Sequence, residues 1–333
     1  MAQQATGDER IPPSPLPPTI PSKAKRGLTP GVIADYTFTG ALTFAALLVL
    51  ASAVVMAGTL IIQAWPSLQR FGLGFLASST WNPVTGHYGA LIYIFGTLAS
   101  SLLALVVAAP VSLAVAIYLT ELAPPQARSI MSLLVELLAA IPSIVYGLWA
   151  IFVLTPLVRD LEVWLGAHLG LIPLFSGPPL GLGLLDAVLV LTVMIVPTIT
   201  AISREVLRAV PPDQRAASLA LGATQWETIY HVVLVYARAG IIGAIVLGLG
   251  RAVGETMAVT MVIGNGRNLS LSLFQTTDTL ASVIANQFAE AADPLYTSSL
   301  LELGLLLFLL SVLLNAGARR LVWRTTRSLK GGS

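Results

Sequence analysis

Six stretches of this chain are too long and too apolar to be stable outside a bilayer. They run roughly over 36–64, 89–120, 129–155, 184–203, 239–264 and 296–318. Crossing about 30 Å of hydrocarbon takes about 20 apolar residues in a helix. In lipid every backbone N–H and C=O must be paired within the segment, so such runs fold as helices. The composition agrees: 56% of 333 residues are hydrophobic and 10% are charged, against about 25% charged in a soluble domain. The sequence therefore predicts an all-α integral membrane protein with six transmembrane helices.

Basic residues set the orientation. With six spans both termini share one side. That side collects fourteen Lys and Arg, among them Lys23, Lys25, Arg26, Arg128, Arg204, Arg208, Arg215, Arg238, Arg319 and Arg320. The other side holds Arg70, Arg159 and Arg267, and Arg251 lies inside a span. The positive-inside rule then predicts that both termini are cytoplasmic. Residues 1–34 read as a Pro-rich disordered tail, since seven prolines fall within the first thirty. An uncleaved first span and an outer loop occupy 35–88. The main transmembrane region is 89–318, and 319–333 is a basic tail.

One span breaks the apolar rule. Gly248–Asn265 reads GLGRAVGETMAVTMVIGN and carries Arg251 and Glu255. A charge near the bilayer centre costs about 2.5–3.5 kcal/mol even on the lenient insertion scale. On one continuous helix, positions i and i+4 share a face. Two readings are open: the helix lines a route for an ion, or the pair is a structural salt bridge. For the first, arginine offers a planar donor fork suited to an oxyanion, and Glu255 would keep the hold weak. Gly250-x-x-x-Gly254 permits close helix approach, within the chain or against a partner subunit. Glu136 falls inside the third span, and either Arg204 or Arg251 is a possible partner for it. A gate or structural role suits a carboxylate better than contact with an anion. Pro142 and Pro197 predict kinks.

The connection at 203–238 is the longest on the cytoplasmic side. Pro211-Pro212-Asp213 opens a short helix, because proline suits the first turn and Asp213 suits its positive end. Gly222 ends it, and Thr224-Gln225-Trp226-Glu227 is a capping box that starts a second helix. Two short helices thus meet at a glycine bend. The segment is either an amphipathic linker on lipid or a docking element for a cytoplasmic partner.

Much chemistry is missing. There is no cysteine, no G-x-x-x-x-G-K-[ST] loop, no H-E-x-x-H and no G-x-S-x-G. His87, His168 and His231 are far apart, so no metal or cofactor is expected. Nothing supports nucleic-acid binding.

The run Arg215-Ala216-Ala217-Ser218-Leu219-Ala220-Leu221-Gly222-Ala223-Thr224 resembles the EAA loop of permease subunits of ATP-binding-cassette importers. Further stretches resemble the phosphate-specific transport (Pst) permeases, their PstC-type subunits in particular. They are Ser79–Val84, Gly89–Ser101, Glu136–Trp149, Ile195–Val210, Gly248–Asn265 and Ala281–Ala291. The resemblance implies a type I importer (MetI-like) fold with a coupling loop at about 211–236. It implies that Arg251 and Glu255 serve phosphate translocation. It also implies three kinds of partner besides the bilayer's lipid. These are a PstA-like permease, two PstB-like ATP-binding subunits, and a PstS-like external phosphate-binding protein. The chain departs from the motif: Ala216 stands where the loop has its glutamate, Ser218 replaces the second alanine, and Leu234-Val235 replaces Leu-Pro.

Competing readings are a sulfate or molybdate permease, an ion-coupled secondary transporter, and a membrane-embedded enzyme. The last lacks any catalytic constellation. Topology is directly testable, because the chain has no cysteine of its own. An impermeant thiol reagent applied outside should label a cysteine placed at Ser79 or Gly266, but not one at Ser22 or Ser328. Labelling at Ser328 from outside would invert the orientation.

Overall fold

The computed structural model describes residues 30–330, with side chains from 35 to 320 and at 322 and 323. The Pro-rich tail expected over 1–34 lies outside the described residues, apart from 30–34, where the first helix has already begun. The elements are α1 (Pro30–Phe71), α2 (Gly74–Ala77), α3 (Leu91–Ile117), α4 (Pro125–Ala140), α5 (Ser143–Trp149), α6 (Thr155–Leu169) and α7 (Leu184–Arg208). Then come α8 (Pro212–Ala220), α9 (Gln225–Thr228), α10 (Leu234–Val253), α11 (Met257–Val262), α12 (Leu280–Gln287) and α13 (Pro294–Lys330). Among the described residues, six helical stretches are long and apolar enough to cross a membrane.

The chain divides into two compact units at Val55/Met56, within α1. In the first unit the described residues are one apolar helix, with Tyr36, Phe38, Phe44 and Val49 exposed as lipid-facing residues would be. The second unit is the helical bundle.

The bundle is built on the pairing of α3 with α7. Lipid tails are as apolar as leucine, so helices in a bilayer associate through close packing and hydrogen bonds. The buried stripe of α3 is accordingly small: Thr97, Ser100, Ser101, Ala104, Ala108, Ser112 and Ala116, spaced at helical period. Opposite it α7 presents Leu191, Met194, Ile195 and Ile199, all fully buried. Hydroxyls cross the contact: Ser112 Oγ donates to Val196 O at 3.2 Å, and Thr200 Oγ1 donates to Ser112 O at 3.3 Å. The same core extends to Ala244 of α10 and to Val259 and Val262 of α11.

A second core sits at the end of the bundle where α12 begins. Trp81 and Tyr88 meet edge to face at 4.9 Å, and Tyr88 stacks on Tyr296 at 5.6 Å. Gln287 Oε1 accepts from both Trp81 Nε1 (2.8 Å) and Tyr296 Oη (2.7 Å). Asp278, 2% exposed, accepts from Thr279 N and Ser282 Oγ beside this core, and burial pushes its carboxyl up to about 6.

Two expected spans are corrected. The third runs over Ser143–Leu169 rather than 129–155, with α4 as a separate helix before it. Proline at 142 supplies no N–H for the Leu138 carbonyl, and it pushes Ile141 to extended backbone (φ −64°, ψ 130°). The result is a break rather than a kink. In contrast, α7 runs continuously through Pro197. The fifth span runs over Gln225–Val253 rather than 239–264, because the helix stops before Gly254 and α11 is a new one. The connection expected at 156–183 is helical as far as Leu169.

The two broken helices cross. A Cβ at Gly147 of α5 would lie 2.6 Å from Met261 Sδ and 3.0 Å from Ala258 Cα of α11. Only glycine allows that approach.

Candidate functional site

Arg251 lies in the last turn of α10, half-buried, two residues before the helix ends. Gly254 closes that turn onto Gly250 O at 3.2 Å, and the chain leaves helical geometry through Glu255 and Thr256. The expectation that Arg251 and Glu255 share a helix face therefore fails, since no helix joins them. Each has another partner. Arg251 Nη1 donates to Thr198 Oγ1 of α7 at 3.0 Å. Glu255, 9% exposed, accepts from Ala258 N at 3.1 Å and so serves the first turn of α11, whose N–H groups have no intrahelical partner. Among the described residues Arg251 forms no ion pair.

The α4–α5 break lies close by. Tyr146 Oη donates to Leu138 O at 2.7 Å, beside the longer bond of 3.3 Å that the same carbonyl accepts from Ile141 N. Arg251 is near enough to act electrostatically on that same hydroxyl. The arginine thus sits beside two interrupted helices, anchored by a neutral threonine. Such a guanidinium keeps its full positive charge and most of its donors for an anion.

Among the described residues the faces of Gly250 and Gly254 are open, which leaves them to a partner subunit. No neighbouring helix comes within 4 Å of a Cβ built at either, whereas Gly248 packs on Ile199.

Beyond the C-terminal end of α7, the glycine bend is as the sequence predicts. Gly222 has φ +89°, the left-handed region that excludes a β-branched residue without strain. Gly222 N donates to Leu219 O (3.0 Å) and Ala223 N to Ser218 O (3.3 Å), a Schellman closure of α8. Thr224 and Glu227 form both bonds of the capping box on α9. Ser218 Oγ and Thr228 Oγ1, 2.9 Å apart, tie α8 to α9. Ala216, Ala217, Leu219, Leu221 and Trp226 are exposed together here.

Sequence reasoning missed how this unit is held. Arg215 Nη2 donates to Glu121 Oε1 (2.9 Å) at the end of the second span and to Leu207 O (2.9 Å) at the end of α7. Its Nη1 donates to Val210 O. Gln225 Nε2 adds a bond to Glu121 O at 3.2 Å. No local pattern reveals a pair separated by 94 positions. Glu136 is exposed on α4 and pairs with Arg204 at 2.7 Å, which resolves the choice between Arg204 and Arg251. Also missed were fully buried Glu162 and Asp186, held by Gly181 N and Thr155 Oγ1 respectively.

A family profile described as "binding-protein-dependent transport system inner membrane component" matches residues 108–327. The phosphate transport system permease protein PstC of Mesorhizobium japonicum is 44% identical over 298 residues, covering 88% of this chain and 91% of that protein. The protein of the same name from Pasteurella multocida is 46% identical, covering 84% and 89%. The chain belongs to the PstC family of binding-protein-dependent transport permeases. More distant members include PstC 2 of Mycobacterium tuberculosis, 37% identical over 91% of this chain and 96% of that one. In fold the chain is similar to the MetNI methionine ABC transporter in an inward-facing form (TM-score 0.54, 20% identity, 74% of this chain and 99% of that one). It is also similar to a bacterial ABC transporter that imports alginate (TM-score 0.59, 14% identity, 88% and 99%). Like other PstC-family chains it is an inner-membrane permease component rather than an ATPase.

Arg215 gives a test of the strap. Arg215→Gln removes one charge-assisted bond and two bonds to helix-end carbonyls. Charge-assisted bonds are worth about 1.5–3 kcal/mol each. Uptake by the assembled importer should fall about tenfold or more at normal membrane expression. Glu121→Gln should be milder. The swap Arg215→Glu with Glu121→Arg should not restore uptake, because glutamate cannot donate to Leu207 O and Val210 O. Full recovery in the swap would reduce the strap to a simple ion pair.

Proposed function

We propose that this chain is the permease through which inorganic phosphate crosses the inner membrane after delivery by an external binding protein. The observation that carries the reading is Arg251: a cation inside an apolar bundle, held by Thr198 rather than by a carboxylate, beside two broken helices. A phosphate ion entering hydrocarbon needs compensating charge, and a single arginine supplies it without holding the ion too firmly to leave. Broken helices are where polar backbone is tolerated at membrane depth, because it lines a cavity or is buried in protein. The PstC names of the relatives support phosphate over sulfate or molybdate.

Two PstB-like ATP-binding subunits would dock at the α8–α9 bend on the cytoplasmic side. The exposed Ala216, Ala217, Leu219, Leu221 and Trp226 offer an apolar contact there, and the missing glutamate at Ala216 then removes one charge from that contact. A PstA-like permease would complete the pathway, covering the faces of Gly250 and Gly254 or the apolar face of α4. A PstS-like protein would deliver phosphate at the end that carries the Trp81–Tyr296 aromatic core.

The roles of Arg251 and Glu255 separate by mutation. Arg251→Gln should abolish phosphate uptake while the complex still assembles. Glu255→Gln should retain most uptake, because its amide oxygen still accepts from Ala258 N. Glu255→Ala should lose the bond to α11, at about 0.5–2 kcal/mol by analogy with helix caps. The double Arg251→Gln/Glu255→Gln variant should stay inactive. Recovery of radiolabelled phosphate uptake in the double variant would make the two residues a structural pair and remove the pathway role.

A further inference from the structure

A groove of about 390 Å³ lies between α4 and the end of α7, away from Arg251. That volume is within the range of small-molecule sites. Its lining holds three arginines, two serines and one carboxylate: Arg128, Arg204, Arg208, Ser129, Ser132 and Glu136. The α4 helix begins at Pro125, on the groove wall, so its positive end adds to the same potential. Glu136 and the adjacent Glu205 both engage Arg204, and Glu205 also meets Arg208 at 3.4 Å. Counting both carboxylates, the site keeps a net positive charge.

The donors here outnumber the acceptors. Arg204 is 4% exposed, and its Nε and Nη1 have no hydrogen-bond partner among the described residues. Ser132 Oγ, on a residue 9% exposed, has none either, nor does Arg128 Nε. Leaving such groups unpaired is costly, more so when they are charged. Arg208 and Ser129 remain exposed at the rim. These unpaired atoms are sealed in the groove wall, where the Arg204 charge adds to the local potential, while Arg208, Ser129 and the half-buried Arg128 border the open volume and make it a receptor for a tetrahedral oxyanion.

We propose that this groove binds a phosphate group, as a second anion site distinct from Arg251. Two sources share the chemistry: free phosphate leaving the pathway, or the headgroup of an anionic phospholipid. Glu136 limits the affinity by occupying Arg204 Nη2. The free-phosphate source rests on the proposed function, whereas the lipid source holds whichever oxyanion the permease imports.

The test uses the assembled importer, purified in detergent without ATP or external binding protein. Orthophosphate binding is followed by equilibrium dialysis with radiolabel, and retained phosphatidylglycerol is counted by native mass spectrometry. Arg128→Gln/Arg208→Gln changes only half-buried or exposed side chains, so assembly should persist, checked by size exclusion. Glu136→Gln acts in the opposite direction. If the source is free phosphate, the double variant weakens orthophosphate binding at least tenfold, Glu136→Gln tightens it at least threefold, and the lipid count is unchanged. If the source is lipid, the double variant loses retained phosphatidylglycerol and orthophosphate binding stays as in the wild type. Equal orthophosphate binding and equal lipid retention in wild type and both variants would overturn the site. That outcome would leave the role of Arg251 untouched.

Discussion

Backbone satisfaction in lipid is the constraint on which this structure depends. A helix that stops inside a membrane leaves polar groups for which hydrocarbon offers no partner. Among the described residues one helix stops at Ala140, just before the third span, and another at Val253, where the fifth span ends, and at each stop a side chain adds a bond. The Tyr146 hydroxyl adds a second bond to the Leu138 carbonyl, which otherwise keeps only Ile141 N at 3.3 Å, and Glu255 reaches the Ala258 N–H at the start of α11. Gly147 then lets the two repaired breaks approach to packing distance. The consequence for function is that Glu255 is occupied by backbone. Arg251 is left with a threonine as its side-chain partner.

The same helices connect that site to the proposed energy input. Thr198, which holds Arg251, lies in α7; ten positions further on, α7 ends where Arg215 grips Leu207 O and Val210 O. Arg215 also reaches Glu121, next to the end of α3, and α3 and α7 are the most closely packed pair of the bundle. Under the proposed docking at α8, a displacement of that helix would act on two helices at once through these ionic and hydrogen bonds. The Schellman closure at Gly222 and the capping box at Thr224 make the α8–α9 bend stiff enough to transmit it.

Much of this was legible in the sequence, and the failures have a common cause. Composition and run length predict six helices, and proline, glycine and capping-box signals place α8, Gly222 and α9 correctly, because all of these are local. Hydropathy does not see where an apolar helix ends. It ran the third span through Ile141-Pro142 and the fifth through Gly254–Thr256, since the residues on both sides are equally apolar. That error alone turned Arg251 and Glu255 into an i,i+4 pair. Long-range partners were equally hidden: Arg215 with Glu121, Arg251 with Thr198, and the buried Glu162 and Asp186 are set by packing of distant segments.

The central claim is that Arg251 supplies positive charge to a hydrated anion path at the break in α10. The most direct measurement is the reactivity of a cysteine at Thr198, the residue that Arg251 holds, in the assembled importer during ATP turnover. The account predicts that Thr198→Cys reacts with water-soluble thiosulfonates, faster with the anionic reagent than with the cationic one. It also predicts that phosphate slows the reaction and that Arg251→Gln removes the anion preference. A cysteine at 198 that reacts with neither reagent, or equally with both whether or not Arg251 is present, would contradict it.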